Sequence, residues 1–311
     1  MATVNKSPRI SILFPVFNGA KFLRQTLDTV ISQAFTDWEL IAQDGGSTDG
    51  TLEIFKEYSA KYPNIKVFSE PDENGFHAIH KASEKANGEF FYFLCSSDGY
   101  LDNTWYAKCV ESMDADPQLS LVWGIPFQIT EDGRSEGPNF IYAHFLESKS
   151  AFSPLIVLKK IIRKMASPLE FIKKLNTANV KAVSHMVRHE PVPQKQDWFS
   201  YWLKTGTMFP DGNMCMSRKV FMECFPKYEL GSKIPGDFTE FSFQFNTRGF
   251  LARCIPIPAN FGRTHAGQTG ERVKEYNDRV SREYFKRLEK FRAEAKPDKK
   301  VFIDRAGNPI T

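Results

Sequence analysis

The sequence predicts an α/β protein with a mostly parallel sheet covered by helices on both faces, and three observations carry that prediction. Short β-rich apolar runs alternate with stretches of helical periodicity from residue 9 to beyond residue 100. Several of these runs stop abruptly in loops of small and acidic residues, which is where an open α/β sheet binds its ligands. The composition, 41% hydrophobic and 25% charged over 311 residues, is ordinary globular material with enough apolar side chains for a substantial core.

Arg9-Ile10-Ser11-Ile12-Leu13-Phe14 reads as the first strand, stopped by Pro15. Asn18-Gly19 then opens a helix with Phe22, Leu23, Leu27, Val30 and Ile31 at helical spacing. Residues 38–43 give the second strand, 51–62 the second helix with Leu52, Phe55 and Tyr58 on one stripe, and 65–68 the third strand. A helix over 76–86 follows, then Gly88 and the strand Glu89-Phe90-Phe91-Tyr92-Phe93-Leu94. After Thr130 the alternation is lost. Glu131-Asp132-Gly133-Arg134 reads as a hairpin turn, 152–174 as two short helices broken at Ser167-Pro168, 237–247 as a helix closed by Gly249, and 250–257 as a strand. Residues 271–294 form a long charged helix with Val273, Tyr276, Val280, Tyr284, Leu288 and Phe291 along one side, and 296–311 a loose tail.

A net charge of +4 is far from that of a dedicated nucleic-acid binder, so no nucleic-acid partner is expected. Met1 to Arg9 lacks the apolar core of a signal peptide, and no run approaches the roughly 18 apolar residues of a spanning helix. The expected location is the cytoplasm. The five cysteines, Cys95, Cys109, Cys215, Cys224 and Cys254, never form C-x-x-C, so buried thiols are expected rather than a disulfide framework or a zinc cage.

The chain is organised around Asp44-Gly45-Gly46-Ser47-Thr48-Asp49-Gly50-Thr51, where an apolar strand ends in three glycines and two carboxylates. Glycines there let another molecule approach the main chain closely, although a plain βα turn capped by Asp49 or Thr51 has the same composition. Two further loops follow strands in the same way: Pro15-Val16-Phe17-Asn18 and Ser96-Ser97-Asp98. In a parallel sheet all three open on one edge, and their chemistry suits a nucleotide. Phe17 can cover a base, Asp44 can accept from its N–H, and Asp98 can hold a metal on a diphosphate. A Rossmann oxidoreductase is excluded, because it needs G-x-G-x-x-G after the first strand, where this chain has Pro15-Val16-Phe17-Asn18-Gly19.

Four segments in sequence order resemble the inverting family 2 glycosyltransferases of the GT-A fold: Ser11 to Gly19, Asp44 to Thr51, Ser69-Glu70-Pro71-Asp72 with Gly75, Ala78 and Lys81, and Gly88-Glu89 through Leu94-Cys95-Ser96-Ser97-Asp98. The resemblance implies one nucleotide-sugar-binding, Rossmann-like GT-A domain over 1–270. Residues 1–129 would form the nucleotide-sugar half, 130–270 the acceptor half, and 271–311 a C-terminal helix and tail. It also implies transfer of a sugar from a nucleotide diphosphate donor to an acceptor hydroxyl with inversion, in cell-surface polysaccharide or glycoconjugate assembly. A UDP-sugar is the favoured donor, a glycan or lipid-linked molecule the acceptor, and Mg2+ or Mn2+ the cofactor.

Carried over residue by residue, the resemblance puts Pro15, Phe17, Asn18, Asp44, Gly45, Ser47, Asp49, Lys81, Ser97 and Arg263 at the donor, and Asp98 at the metal. His265, in Gly262-Arg263-Thr264-His265-Ala266, is either a second metal ligand or a structural hydrogen-bonding group. Where the family usually carries D-x-D-D, this chain has Cys95-Ser96-Ser97-Asp98, with Ser97 replacing the acid that touches the ribose. A catalytically degenerate binder of nucleotide sugar or glycan is therefore the alternative function, and a plain turn the alternative reading of Asp98-Gly99. In Gly236-Asp237-Phe238-Thr239-Glu240, Asp237 is the expected general base and Glu240, one turn on, the fallback. Basic residues crowd 158–195 among Leu155, Ile156, Val157, Leu158, Ile161 and Ile162. That segment is either a peripheral contact with an anionic membrane or a helix packed on its own domain.

Overall fold

The structure is a computed structural model, and it describes residues 7–139, 141–142, 145, 192–227, 238–266 and 274–310. The expected helices over 152–174, almost all of the basic segment 158–195, and Asp237 lie outside the described residues.

In chain order the elements are β1 (Ile10–Val16), α1 (Ala20–Ile31), β2 (Trp38–Asp44), α2 (Thr51–Lys61), β3 (Ile65–Ser69), α3 (Gly75–Lys85), β4 (Phe90–Phe93), β5 (Gly99–Tyr100), α4 (Trp105–Ala115), β6 (Leu119–Ile129) and β7 (Ser135–Pro138). They continue with α5 (Gln196–Thr205), β8 (Cys215–Ser217), α6 (Arg218–Cys224), α7 (Phe238–Arg248), β9 (Leu251–Arg263) and α8 (Lys274–Glu294). The described strands form one sheet in the order β3-β2-β1-β4-β8-β6-β9-β5, with β7 on β6. Parallel pairing joins β3, β2, β1 and β4, and again β6 and β9. The short β8 runs antiparallel to both β4 and β6 and so joins the two parallel blocks. The expected mostly parallel sheet is present, but its far half is stitched together by non-local pairings.

Two apolar layers cover the sheet, because alternate strand residues point to opposite faces. Ile10, Ile12, Phe14 and Val16 of β1 join Leu23, Leu27 and Val30 of α1, Phe55 of α2 and Trp105 of α4 on one side. Leu13 faces the other, with Ile79 and Ala82 of α3, Trp198 of α5 and Phe241 of α7. Each such side chain taken out of water contributes about 1.5–3 kcal/mol. Asn74 caps α3, its Oδ1 accepting from the N–H groups of Phe76 and His77 at 3.0 Å each. The hairpin expected at 131–134 joins β6 to β7, and Gly133 takes the left-handed backbone that the turn requires.

A third apolar cluster ties α5, α7 and α8 together through Phe199, Trp202, Phe243, Tyr284 and Leu288, and Trp202 Nε1 donates to Tyr284 Oη at 2.7 Å. The C-terminal segment is not the loose tail expected from its polar sequence. Ile303 pairs in parallel with Phe250 and antiparallel with Pro309, Phe302 packs edge-on to Phe199, and Arg305 Nη1 donates to the Met113 carbonyl at 3.1 Å. Phe302, Ile303 and Ile310 dock although Val301 stays exposed, and that outweighs the polarity of the rest. No described helix is long and apolar enough to cross a membrane.

Candidate functional site

The loops after β1 and β2 are zipped together at the carboxyl edge of the sheet. Asn18 adopts φ 50°, donates its N–H to Ser47 Oγ at 2.7 Å, and accepts from the Thr48 N–H on Oδ1 at 2.9 Å. Asp49 accepts from the Ala20 N–H at 3.0 Å and from the Thr51 N–H and hydroxyl at 3.1 and 2.6 Å. Burial pushes the Asp49 carboxyl up, and these hydrogen bonds outweigh it and hold the pKa below its ordinary value. Asn18, Ser47 and Asp49 therefore hold the two loops together. Pro15 lies inside β1, where it pairs with Gln43, and Phe17 stands out at the same edge with 60% of its surface exposed.

Asp44 is fully buried and closes its own turn. Its carboxylate accepts from the Gly46 N–H at 3.0 Å, the Ser47 N–H at 3.1 Å and the Ser69 hydroxyl at 2.7 Å. A Cβ placed on Gly45 would lie 2.6 Å from Asp72 Oδ2 in the loop after β3. Lys81 holds that loop from α3, donating to the Pro71 carbonyl at 2.7 Å and reaching Glu70 at 3.4 Å.

The loop after β4 is pinned from two sides. The Thr26 hydroxyl of α1 is within hydrogen-bond reach of the carbonyls of Ser96 and Asp98, at 2.9 and 2.6 Å. From β9, the Arg263 N–H donates to Asp98 Oδ1 at 3.2 Å. Ser97 lies beside the same carboxylate, Oγ to Oδ1 at 3.5 Å. Burial raises the Asp98 carboxyl; the Arg263 N–H opposes this, a second carboxylate at Asp211 adds to it, and the pKa is pushed up to about 7. Burial raises Asp211 as well. Asp211 precedes Gly212, whose added Cβ would come 3.9 Å from Asp98 Oδ2.

Arg263 has been given a different task from meeting phosphate. Its guanidinium is buried over the Phe22 ring and donates to the carbonyls of Ser97, Thr130 and Glu131 and to Gln25 Oε1. Desolvation lowers its pKa, and the nearby Asp98, Glu131 and Asp132 oppose the shift. His265 packs against Phe22 with ring centroids 5.2 Å apart, and the Lys21 amine holds Glu131 below the ordinary carboxyl value.

Asp98 and Asp211 are the acids at this edge that a divalent ion could use. Asp98 and Asp211 are oxygen donors that repel each other, so a cation would relieve both. Among the described residues no group of three or more His, Cys, Asp or Glu could hold an ion unaided. The remaining ligands would come from phosphate oxygens and water, the usual arrangement for Mg2+.

On α7, Glu240 is clamped by both terminal nitrogens of Arg287 on α8, with Gln244 Nε2 donating to Oε1 at 2.7 Å. Burial raises the Glu240 carboxyl, but these donors prevail and its pKa is lowered. A carboxylate so engaged is a poor proton acceptor.

The family described as glycosyl transferase family 2 matches residues 11–225, more than half of the chain. The chain belongs to glycosyl transferase family 2. Among similar members, the dolichyl N-acetyl-alpha-D-glucosaminyl phosphate 3-beta-D-2,3-diacetamido-2,3-dideoxy-beta-D-glucuronosyltransferase of Methanococcus voltae is 29% identical over 151 residues, 46% of this chain and 47% of that protein. The chondroitin synthase of Escherichia coli is 28% identical over 141 residues, 45% of this chain and 20% of that one. The chain thus spans under half the length of these curated relatives. Two solved structures superpose with a TM-score of 0.51 at 15% identity. S. aureus TarS 1-349 in complex with UDP-GlcNAc is matched over 84% of this chain and 60% of its own. The mannosyltransferase PcManGT from Pyrobaculum calidifontis, with GDP-Man and Mn2+, is matched over 87% and 61%. The fold is the GT-A fold of the family.

Motif reading gave no role to two acids that the fold brings to this edge. Asp211 lies about a hundred residues from the other loops and belongs to no local pattern. Asp72 was visible in Ser69-Glu70-Pro71-Asp72, but only the fold turns it toward Gly45.

Proposed function

We propose that the chain is an inverting, metal-dependent glycosyltransferase that moves a sugar from a nucleoside diphosphate donor, with UDP favoured, to a hydroxyl of a glycan or lipid-linked acceptor in polysaccharide or glycoconjugate assembly. The observation that carries this reading is the convergence of the loops after β1, β2, β3 and β4 on one sheet edge. Together they offer an exposed aromatic at Phe17, open backbone at Gly46 and a carboxylate at Asp98. Family membership and the UDP-GlcNAc and GDP-Man bound by the two structural neighbours support it.

In this reading Phe17 covers the base, Asp44 accepts the base N–H, and Asp98 with Asp211 would hold Mg2+ or Mn2+, with His265 as a further candidate ligand. The ion supplies positive charge to the leaving diphosphate. Arg263 and Thr26 keep Asp98 in place from behind. By its place in the sequence Asp237 is assigned the acceptor proton, since the alternative, Glu240, is bound by Arg287. The test is calorimetry of UDP, GDP and dTDP with Mn2+, followed by diphosphate release from the matching nucleotide sugars. Absence of binding by all three would sink the reading. A lipid-linked acceptor would suit membrane contact by the basic segment 158–195. Co-sedimentation with anionic vesicles at low salt, lost at high salt, is the check on that contact, and no sedimentation refutes it.

A further inference from the structure

Helix α1 is held at its start by one loop of the sheet edge and holds another along its length. It has no side-chain cap of its own: the N–H groups of Gly19 and Ala20 donate instead to Thr51 Oγ1 at 2.9 Å and to Asp49 Oδ2 at 3.0 Å, in the motif after β2. Further along, Thr26, Thr29 and Gln33 lie on one face of the helix and are buried. The segment after β4 is bonded to them in order. Thr26 Oγ1 reaches the carbonyls of Ser96 and Asp98, Thr29 Oγ1 accepts from the Tyr100 N–H at 3.1 Å, and the Gln33 amide donates to the Asp102 carbonyl at 2.9 Å and accepts from the Tyr106 N–H at 3.2 Å. A threonine inside a helix ordinarily turns its hydroxyl back on a carbonyl of its own preceding turn, as Thr29 does with Thr26. Thr26 instead gives its one hydroxyl proton to a loop 70 residues further on. Where the helix begins, Ser96 lies so close to Gly19 that a Cβ there would come 2.5 Å from its Oγ.

We propose that α1 couples the two ends of the donor site, with Thr26 as the positioning residue that keeps the loop carrying Asp98 in register with the loops after β1 and β2. This deepens the nucleotide-sugar reading above and rests on it. The physical reason is rigidity. From Ala20 to Thr26 the chain rises about 9 Å along a hydrogen-bonded helix, whereas the loops it joins lie beyond the ends of their strands. A nucleoside diphosphate spans the same loops, so its affinity depends on how well their spacing is set before it arrives. Without the Thr26 hydroxyl the Ser96 and Asp98 carbonyls lose a buried donor, and the loop gains by shifting toward water.

Calorimetry of UDP, GDP and dTDP with Mn2+ on the full chain identifies the diphosphate that binds, and melting temperatures confirm that each variant is folded. Thr26→Val exchanges the hydroxyl for a methyl group of similar size, and Thr26→Ala removes it without one. Each should lose about tenfold in affinity for that diphosphate, the typical effect of leaving a buried polar group unpaired. Thr26→Ser keeps the hydroxyl and should stay within about twofold of the parent. Asp49→Ala loosens the other end of the helix and should also weaken binding. Because either break alone releases the register, Asp49→Ala combined with Thr26→Val should lose little more than the worse single variant. Unchanged affinity in Thr26→Val and Thr26→Ala or in Asp49→Ala, a loss in Thr26→Ser as large as in Thr26→Ala, or losses that multiply in the double variant would overturn this inference and leave the nucleotide-sugar reading standing. Failure of the parent to bind any of the three diphosphates overturns both.

Discussion

Asp98 is a carboxyl whose proton is held up to about neutral pH by its surroundings, so a proton and a cation compete for it. Between the ordinary carboxyl range and about 7, the folded chain keeps a proton there that the unfolded chain has released. The metal-free protein should therefore lose stability as pH rises through that window, and Asp211, shifted the same way, adds to the slope. Asp98→Asn should make the slope shallower and should also abolish Mn2+-dependent binding of UDP. Urea denaturation in chelator at about pH 5 and about pH 7.5 reads the first effect and calorimetry the second. Parallel stability curves for parent and variant would refute the assignment.

At the level of elements, α7 is fixed against α8 by the bidentate Arg287–Glu240 pair, with the Arg287 guanidinium also 4.2 Å from the Phe243 ring centroid. Breaking that pair takes the guanidinium away from a half-buried carboxylate, so Arg287→Ala should cost about 1–2 kcal/mol of stability. The same geometry separates structure from catalysis on this helix. Glu240→Gln should lower stability but leave turnover within a few fold, whereas Asp237→Asn should lower turnover by roughly 10² to 10⁴ with donor affinity nearly unchanged. Steady-state kinetics beside donor calorimetry decides it. A large turnover loss in Glu240→Gln with little in Asp237→Asn moves the base one helical turn.

For the whole molecule, the C-terminal segment closes the fold. It lies beside Gly249-Phe250 between α7 and β9, with Ile303 N–H donating to the Gly249 carbonyl at 3.0 Å, and Phe302 reaches the cluster that joins α5, α7 and α8. Phe302→Ala should cost about 1–3 kcal/mol, read as a lowered melting temperature, with UDP affinity retained because the segment touches none of the donor loops. An unchanged melting temperature would show that the docking is incidental.

Residues 9–100 were legible because their order is local. Hydrophobic period, glycine turns and a strand followed by its helix are written in neighbouring residues, and the sheet edge with its loops follows from them. The Asp44 to Thr51 motif likewise lies at that edge, tied to the loop after β1. What each side chain does there was decided across the fold. Asp44 was found closed by Ser69, Arg263 spent on the carbonyls of Ser97, Thr130 and Glu131, and Glu240 held by Arg287. Asp211 and Asp72 were brought in from distant loops. A motif specifies which groups are available. Which of them stay free is settled by the partners that tertiary packing delivers, because a buried polar group takes the nearest donor or acceptor in space, whatever its distance along the chain.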